Sequence, residues 1–359
     1  MTLNLSSLLA SDRRVAILLH GGLQNRSGKT GLSLLRYSQA NIVAVIDENH
    51  ASESLEALTG INRAVPIVGD LTAALACEPE VLAIGIAPSG GELPETWIDE
   101  LQQALNAGLS IVNGLHTPLA THPQLQPLLK PGRVIWDIRQ EPDNLKVGRA
   151  RARQLKALRV LAVGTDMSIG KMSASLELHY LSQKRGLKSC FIGTGQTGIA
   201  IAGAGVPLDA VRVDFAAGAI EQQVLTYGSE ADIVHIEGQG SLLHPSSTAT
   251  LPLIRGSQPT HLILVHRWGQ THIHSVPDVE IPPLPEVIEL YNRIASVAGA
   301  TAPTKVMAIA LNTYGLSAED ADLAIADTQE LTGLPCTDPI RYNADPLLDA
   351  VLNPNSTAG

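Results

Sequence analysis

With 359 residues, of which 45% are hydrophobic and 17% charged, the chain is long enough for two domains and apolar enough to exclude disorder over most of its length. Its formal net charge of −10, with no basic stripe carrying interleaved aromatics, argues against a nucleic-acid partner. Neither a signal-peptide pattern nor an apolar run of roughly 20 residues is present, and Cys77, Cys190 and Cys336 are too scattered for a C-x-x-C site, so a cytoplasmic chain with reduced thiols and no membrane partner is expected.

Aromatics make up only 3%, so the cores must be built from Leu, Ile, Val and Ala, the composition of parallel strands buried on both faces. In chain order, Val15–His20, Ile42–Ile46, Val81–Gly85, Ser110–Val112 and Val134–Asp137 read as strands. Leu32–Tyr37, Leu71–Ala76 and Trp97–Ala107 between them carry helical spacing. The polar stretch Gln140–Lys156 marks a boundary between a domain over 1–148 and a second over 149–359. Its Arg149, Arg151, Arg153 and Lys156 fit a solvated interdomain helix better than a polyanion site.

Beyond the boundary the alternation restarts. Strands are expected at Arg159–Val163, Cys190–Gly193, Ile233–Glu237, His261–Val265 and Val306–Leu311. Helices are expected at Lys171–Lys184, Ala217–Tyr227, Pro285–Ser296 and Ala318–Thr332. Asp214 reads as a helix cap, the proline-rich Val276–Pro285 as a surface connection, and Asn353–Gly359 as a frayed tail. The fold class is α/β, with two doubly wound parallel-sheet domains, the first Rossmann-like and the second like a P-loop NTPase.

The strongest motif is the apolar run Val160–Val163 entering Gly164-Thr165-Asp166-Met167-Ser168-Ile169-Gly170-Lys171-Met172-Ser173. A strand, a small-residue loop and a helix start let backbone N–H groups converge on a phosphate, with Lys171 adding its ammonium. Two departures matter. The glycines stand one residue further apart than in the common G-x-x-x-x-G-K form, matching the variant loop of dethiobiotin synthetase. Met172 occupies the place where a Ser or Thr hydroxyl holds Mg²⁺, and a thioether is a poor ligand for a hard cation. Ser173 follows one residue late. The loop thus suits a phosphate ligand that needs no metal, such as the pyrophosphate of coenzyme A.

Glu237, ending an expected strand and followed by Gly238-Gln239-Gly240-Ser241, is a candidate base at the crevice; a turn cap is the plainer alternative. Gly193–Gly198, with Gln196, either supplies further backbone donors or is an ordinary turn. In the first half, His20–Thr30 offers a possible second anion site at Gly22, Gly28, Lys29 and Thr30, with Asp47 placed like a ribose-binding acid, although no G-x-G-x-x-G fingerprint supports NAD. Gly85–Gly91 is a further glycine-rich strand end, expected at the same crevice. His244, His261, His266, His272 and His274 follow no metal spacing, and no metal site is assigned unless Mg-ATP is the ligand, when Asp166 and Glu237 would hold the ion. Arg255 and Arg267 are open between carboxylate binding and a solvated face.

Taken together, Gly28-Lys29-Thr30 with Leu34–Tyr37, Val43–Asp47, Gly85–Pro88, Gly164–Asp166 with Gly170–Met172, and Glu237–Leu242 with His244-Pro245 resemble the D-glutamate N-acetyltransferase-like family of bacterial two-domain proteins. The resemblance covers both halves. It implies a Rossmann-like first domain, a second domain similar to dethiobiotin synthetase, and acetyl transfer from acetyl-CoA to the amino group of D-glutamate or a related acidic amino acid. On that reading Gly164, Thr165, Asp166, Ser168, Gly170, Lys171, Ser173 and Gln196 bind the cofactor, and Glu237 and Lys171 carry the chemistry. The alternatives are an ATP- and Mg²⁺-dependent ligase or kinase of the dethiobiotin synthetase type, and a nucleotide-binding protein without catalysis. A homo-oligomer is expected, since most soluble enzymes of this size assemble symmetrically.

Overall fold

The computed structural model describes residues 5–86, 93–297 and 301–353. They divide into two compact units, Met1–Gln140 with Gln196–Ala210, and Glu141–Gly195 with Val211–Gly359. Residues 141–148 therefore go with the second unit, and the segment 196–210 returns to the first.

The first unit contains β1 (Arg14–Leu18), α1 (Lys29–Tyr37), β2 (Asn41–Ile46), α2 (Leu55–Thr59), β3 (Ile67–Val68), α3 (Leu71–Leu75), β4 (Val81–Ile84), α4 (Ile98–Ala107), β5 (Ser110–Asn113) and β6 (Ile135–Asp137). All six strands are parallel, in the order β3-β2-β1-β4-β5-β6. That is the Rossmann arrangement, with the chain reversing direction between β1 and β4. Polar residues punctuate the apolar runs. Asp70 caps α3 by accepting from the Ala73 N–H at 2.8 Å, and Gly108, left-handed at φ +84°, closes α4.

The second unit contains β7 (Leu158–Gly164), α5 (Lys171–Lys184) and β8 (Ser189–Ile192) before the excursion that forms α6 (Gln196–Ala202). It resumes with α7 (Val213–Gly228), β9 (Ile233–Ile236), α8 (Thr250–Ser257), β10 (His261–Arg267), the hairpin strands β11 (His272–Ile273) and β12 (Val276–Glu280), and α9 (Leu284–Ala295). β13 (Val306–Asn312), α10 (Ala318–Thr332), β14 (Cys336–Thr337) and α11 (Asp345–Leu352) complete it. The main sheet is again parallel and six-stranded, ordered β14-β13-β10-β7-β9-β8, with the phosphate-loop strand β7 between two buried neighbours. The fold is α/β, two doubly wound parallel sheets.

Several local expectations change. Gly193–Gly198 is not a simple turn: α6 starts at Gln196, and its Ile199 and Ala200 join the core of the first unit. Val276–Pro285 lies largely at the surface, and its first part is β12, which pairs antiparallel with β11. Asp214 is no cap; α7 opens at Val213 after Arg212 and runs four residues earlier than its apolar periodicity indicates. The boundary segment holds only a short 3₁₀ turn, Arg151–Gln154, rather than a helix. Its anchor is Glu221 of α7, fully buried, which accepts from the Arg149 N–H at 3.1 Å, the Arg151 N–H at 2.6 Å and the Arg151 Nε at 2.9 Å. Most of Gly85–Gly91, from 87 on, and most of the C-terminal tail lie outside the described residues.

Candidate functional site

β7 delivers the chain to the carboxyl edge of the sheet, and its last carbonyl, Gly164, accepts from the buried Tyr291 hydroxyl at 2.8 Å. That hydroxyl also accepts from the Leu242 N–H at 3.2 Å, which ties the loop after β9 to the phosphate loop. From Thr165 to Gly170 the backbone folds into a concavity. Ser168 takes φ +57° and Gly170 φ +114°, so the direction of successive peptide planes alternates. Among the described residues, the N–H groups of Ser168, Ile169 and Gly170 donate to no protein acceptor. Asn312, ending β13, fixes the loop from the other side by donating Nδ2 to the Ile169 carbonyl at 2.9 Å.

Lys171 opens α5 and is itself buried, its Nζ donating to the Asp166 carbonyl at 2.6 Å. The stem passes between two glycines that have room for nothing else. A Cβ on Gly164 would lie 3.2 Å from Lys171 Nζ, and one on Gly238 would lie 2.8 Å from Lys171 Cδ and 1.9 Å from the Ala162 carbonyl oxygen. The ammonium is thus held against the backbone of its own loop. Charge and converging N–H groups at a helix start make an anion cradle.

The other loop residues are committed to holding this shape. Asp166 is buried; Oδ1 accepts from the Met167 N–H at 2.6 Å, and Oδ2 from Gln270 Nε2 at 2.5 Å and the His274 N–H at 2.8 Å. Those donors pin the β11–β12 region against the loop. Thr165 Oγ1 meets His266 Nδ1 at 3.0 Å, and burial pushes His266 down to about 4. Met172 and Ser173 are half-buried on the first turn of α5.

Glu237 follows β9 directly and is buried, its Oε2 accepting from the Thr194 N–H at 2.7 Å and the Gly195 N–H at 3.2 Å. His244, on the following loop, accepts from the Ser246 N–H at Nδ1, 3.1 Å, so Nε2 carries the proton and faces Ser275 Oγ at 2.8 Å. Nε2 also stands 4.0 Å from Asp166 Oδ1. His261 sits at the opposite end of β10 from His266, on Thr260, while His272 and His274 belong to the β11 segment. Among the described residues no three His, Cys, Asp or Glu side chains come together to hold a metal. Arg255 is exposed on α8 and Arg267 half-buried at the end of β10.

Gln196 belongs to the first unit, where its Cγ stands 2.9 Å from where a Cβ on Gly114 would be. The loop containing Gly22 and Gly28 is wound on itself. Gly22 N–H donates to Leu19 O at 2.8 Å, Gly28 N–H to Asn25 O at 3.3 Å, and Ser27 N–H to Asn25 Oδ1 at 2.7 Å. Gly21, Gly22, Asn25, Ser27 and Gly28 thus donate their N–H groups to acceptors of the first unit. Lys29 is exposed at the start of α1, and the Thr30 hydroxyl meets that of Thr197 at 2.9 Å. Asp47 is fully buried and accepts from the Gly21 and Asn49 N–H groups and from His50 Nδ1. Sequence reasoning missed Tyr291, Asn312 and Gln270, which come to the loop from α9, the end of β13 and the turn after β10; the backbone donors expected of Gly193–Gly198 are the Thr194 and Gly195 N–H groups, which go to Glu237.

A family model described as a domain of unknown function, DUF1611_C, P-loop domain, matches residues 146–348, and one described as DUF1611_N, Rossmann-like domain, matches 48–141. A D-glutamate N-acetyltransferase of Tritonibacter scottomollicae is 40% identical over 284 residues, 78% of this chain and 84% of the relative. A second D-glutamate N-acetyltransferase, of Pseudoalteromonas sp, is 34% identical over 274 residues, 75% of this chain and 80% of the relative. The crystal structure of a DUF1611 family protein from Anabaena variabilis superposes with a TM-score of 0.92 at 62% identity, covering 95% of this chain and 99% of that one. With a match to each half and a shared fold, the chain belongs to the DUF1611 family, the D-glutamate N-acetyltransferase-like proteins built from a Rossmann-like and a P-loop domain.

Proposed function

We propose that this chain is an acetyl-CoA-dependent N-acetyltransferase acting on the amino group of D-glutamate or a related amino acid. The observation that carries the reading is a phosphate cradle whose following helix lacks, at Met172, the hydroxyl that holds Mg²⁺. The N–H groups of Ser168, Ile169 and Gly170 and the Lys171 ammonium suit a pyrophosphate, whereas Met172 offers no hydroxyl to Mg²⁺. Asp166, the nearest carboxylate in the loop, already accepts three hydrogen bonds. A Mg-ATP ligase would need that carboxylate for its ion, so it fits these residues less well. The names of the two curated relatives support the same substrate class.

Acetyl-CoA supplies the acyl group as an activated thioester. The residues of this chain then have two tasks. Ser168–Lys171 bind and orient the pyrophosphate, and Glu237, its carboxylate fixed by the Thr194 and Gly195 N–H groups, takes a proton from the acceptor's ammonium so that the amine can act as nucleophile.

The test follows thiol release from acetyl-CoA against a panel of D- and L-amino acids. Turnover with D-glutamate is expected. Lys171→Ala should raise the Kd for CoA about tenfold or more, and Glu237→Gln should lower kcat by about a hundredfold with little change in KM. Absence of turnover on every amino acid, together with tight binding of ATP and Mg²⁺, would sink the reading.

A further inference from the structure

We infer that the phosphate ligand carries a planar base, and that this base stacks on Tyr314 with Trp268 on the same rim. The inference rests on the phosphate reading above and adds the chemical class of the ligand's other end. Aromatic residues are scarce here: three Trp, six Tyr and two Phe in 359 residues. Among the described residues Tyr314 is the most exposed large apolar side chain, at 83%, and Trp268 is 39% exposed. Both emerge at the carboxyl ends of neighbouring strands, Tyr314 just past β13 and Trp268 just past β10, and β10 is the direct neighbour of the phosphate-loop strand β7.

Asn312 joins the two aromatics to the cradle. Its Nδ2 holds the Ile169 carbonyl, its Oδ1 accepts from the Tyr314 N–H at 3.0 Å, and its own carbonyl accepts from the Trp268 N–H at 3.1 Å. The Tyr314 backbone is over-determined on its other side as well. Asp338 accepts from the Thr313 N–H and hydroxyl at 2.9 and 2.6 Å, and the Arg341 guanidinium donates to the Leu316 and Ser317 carbonyls. The segment is therefore firmly held, while the ring it presents is left uncovered. Among the described residues neither ring pairs with another ring or with a cation. An uncovered π-face on a firmly held backbone, at the strand ends next to the phosphate loop, offers a purine a sequence-tolerant stacking platform.

Calorimetric titration of the full chain and its Tyr314→Ala and Tyr314→Phe variants decides the matter. The probes are CoA and 4′-phosphopantetheine, which share the pantetheine arm, the second lacking the base together with its ribose, the 3′-phosphate and one phosphate of the pyrophosphate, so that the variant-to-parent ratio on each probe is what is compared; and ATP with Mg²⁺ against tripolyphosphate. Tyr314→Ala should weaken CoA about tenfold or more and leave phosphopantetheine unchanged, while Tyr314→Phe should bind CoA like the parent. Unchanged CoA affinity in Tyr314→Ala, or an equal loss on the base-free probe, overturns the stacking role and leaves the acyl-donor reading standing. A change of sedimentation coefficient with CoA affinity intact assigns the ring to a contact between copies and overturns it too. Should the parent bind ATP rather than CoA, the acyl-donor reading falls, and ATP against tripolyphosphate then decides the stacking on the same criterion. Binding of neither nucleotide overturns both.

Discussion

A methyl group at position 238 would stand 1.9 Å from the Ala162 carbonyl oxygen, a backbone atom of β7 that cannot step aside. Gly238→Ala is therefore expected to destabilise the second unit by about 1–3 kcal/mol, because either the end of β9 or the Lys171 stem has to move. Gly195→Ala is the control: its Cβ would meet only Glu237 Oε1, at 3.7 Å, an ordinary contact, and the N–H to Glu237 is kept. Denaturant unfolding of the two variants should separate them, and equal stabilities would show that the Gly238 approach is relaxed at no cost. The same pair shows what is legible in single residues. Gly164, Gly170 and Lys171 announce themselves because their spacing is the motif, and Gly238 follows a strand with an obvious turn. Tyr291 and Gln270 are silent in sequence, since only the strand order brings them 127 and 104 residues back to the loop. Asp166 looks like a ligand until its three donors are known, and no spacing rule supplies those.

Apolar patterning located the long parallel strands to within one or two residues at each end, and α5 and α10 to the residue, because each helix has a clear terminal signal. It failed where an element is short or where its hydrophobic face belongs to another unit. α6 is seven residues of small and apolar side chains among glycines, and nothing local tells it to join the first core. α7 is the informative case, since it starts four residues before its expected Ala217 and carries Glu221, the fully buried anchor of the boundary segment. Glu221→Ala would leave the Arg149 and Arg151 N–H groups without their acceptor, at an expected cost of about 2–3 kcal/mol. Arg151→Ala removes a half-exposed partner whose charge is screened by solvent, and should cost less than about 1 kcal/mol. Chemical denaturation of both variants checks the order. If Arg151→Ala proves the more harmful, the ion pair rather than the backbone acceptor organises this segment.

On the scale of the whole molecule the two parallel sheets were visible in the repeated strand–helix alternation, but the route of the chain was not, since a return of 196–210 to the first unit leaves no mark on local periodicity. The division also splits the response to acid. In the second unit burial pushes His235 down to about 3 and His179 and His266 down to about 4, from an ordinary 6.5. A second proton on His235 would find no acceptor: Ser182 donates its hydroxyl to the Leu178 carbonyl, so His235 Nε2 must donate to Ser182, and Nδ1 is buried with no partner among the described residues. Histidines held neutral in the fold stabilise it fully above the unfolded value near 6.5, and that contribution is lost as pH falls toward their folded values. By about pH 5 each one locked neutral has withdrawn on the order of 2 kcal/mol. The first unit runs the other way at His20. Burial lowers its pKa, but the hydrogen bond and charge of Glu100, with Glu48 and Asp47, outweigh burial and raise it. Its contribution is therefore complete below the unfolded value and lost as pH rises through the folded one; the lowered but exposed His116 opposes it only weakly. Amide exchange between pH 7.5 and 5, corrected for intrinsic rates, should show protection in β7, β9 and β10 falling by several kcal/mol while β1, β2 and β4 hold theirs. A uniform loss across both sheets would mean that one cooperative transition governs the chain and that these histidines do not set its acid limit.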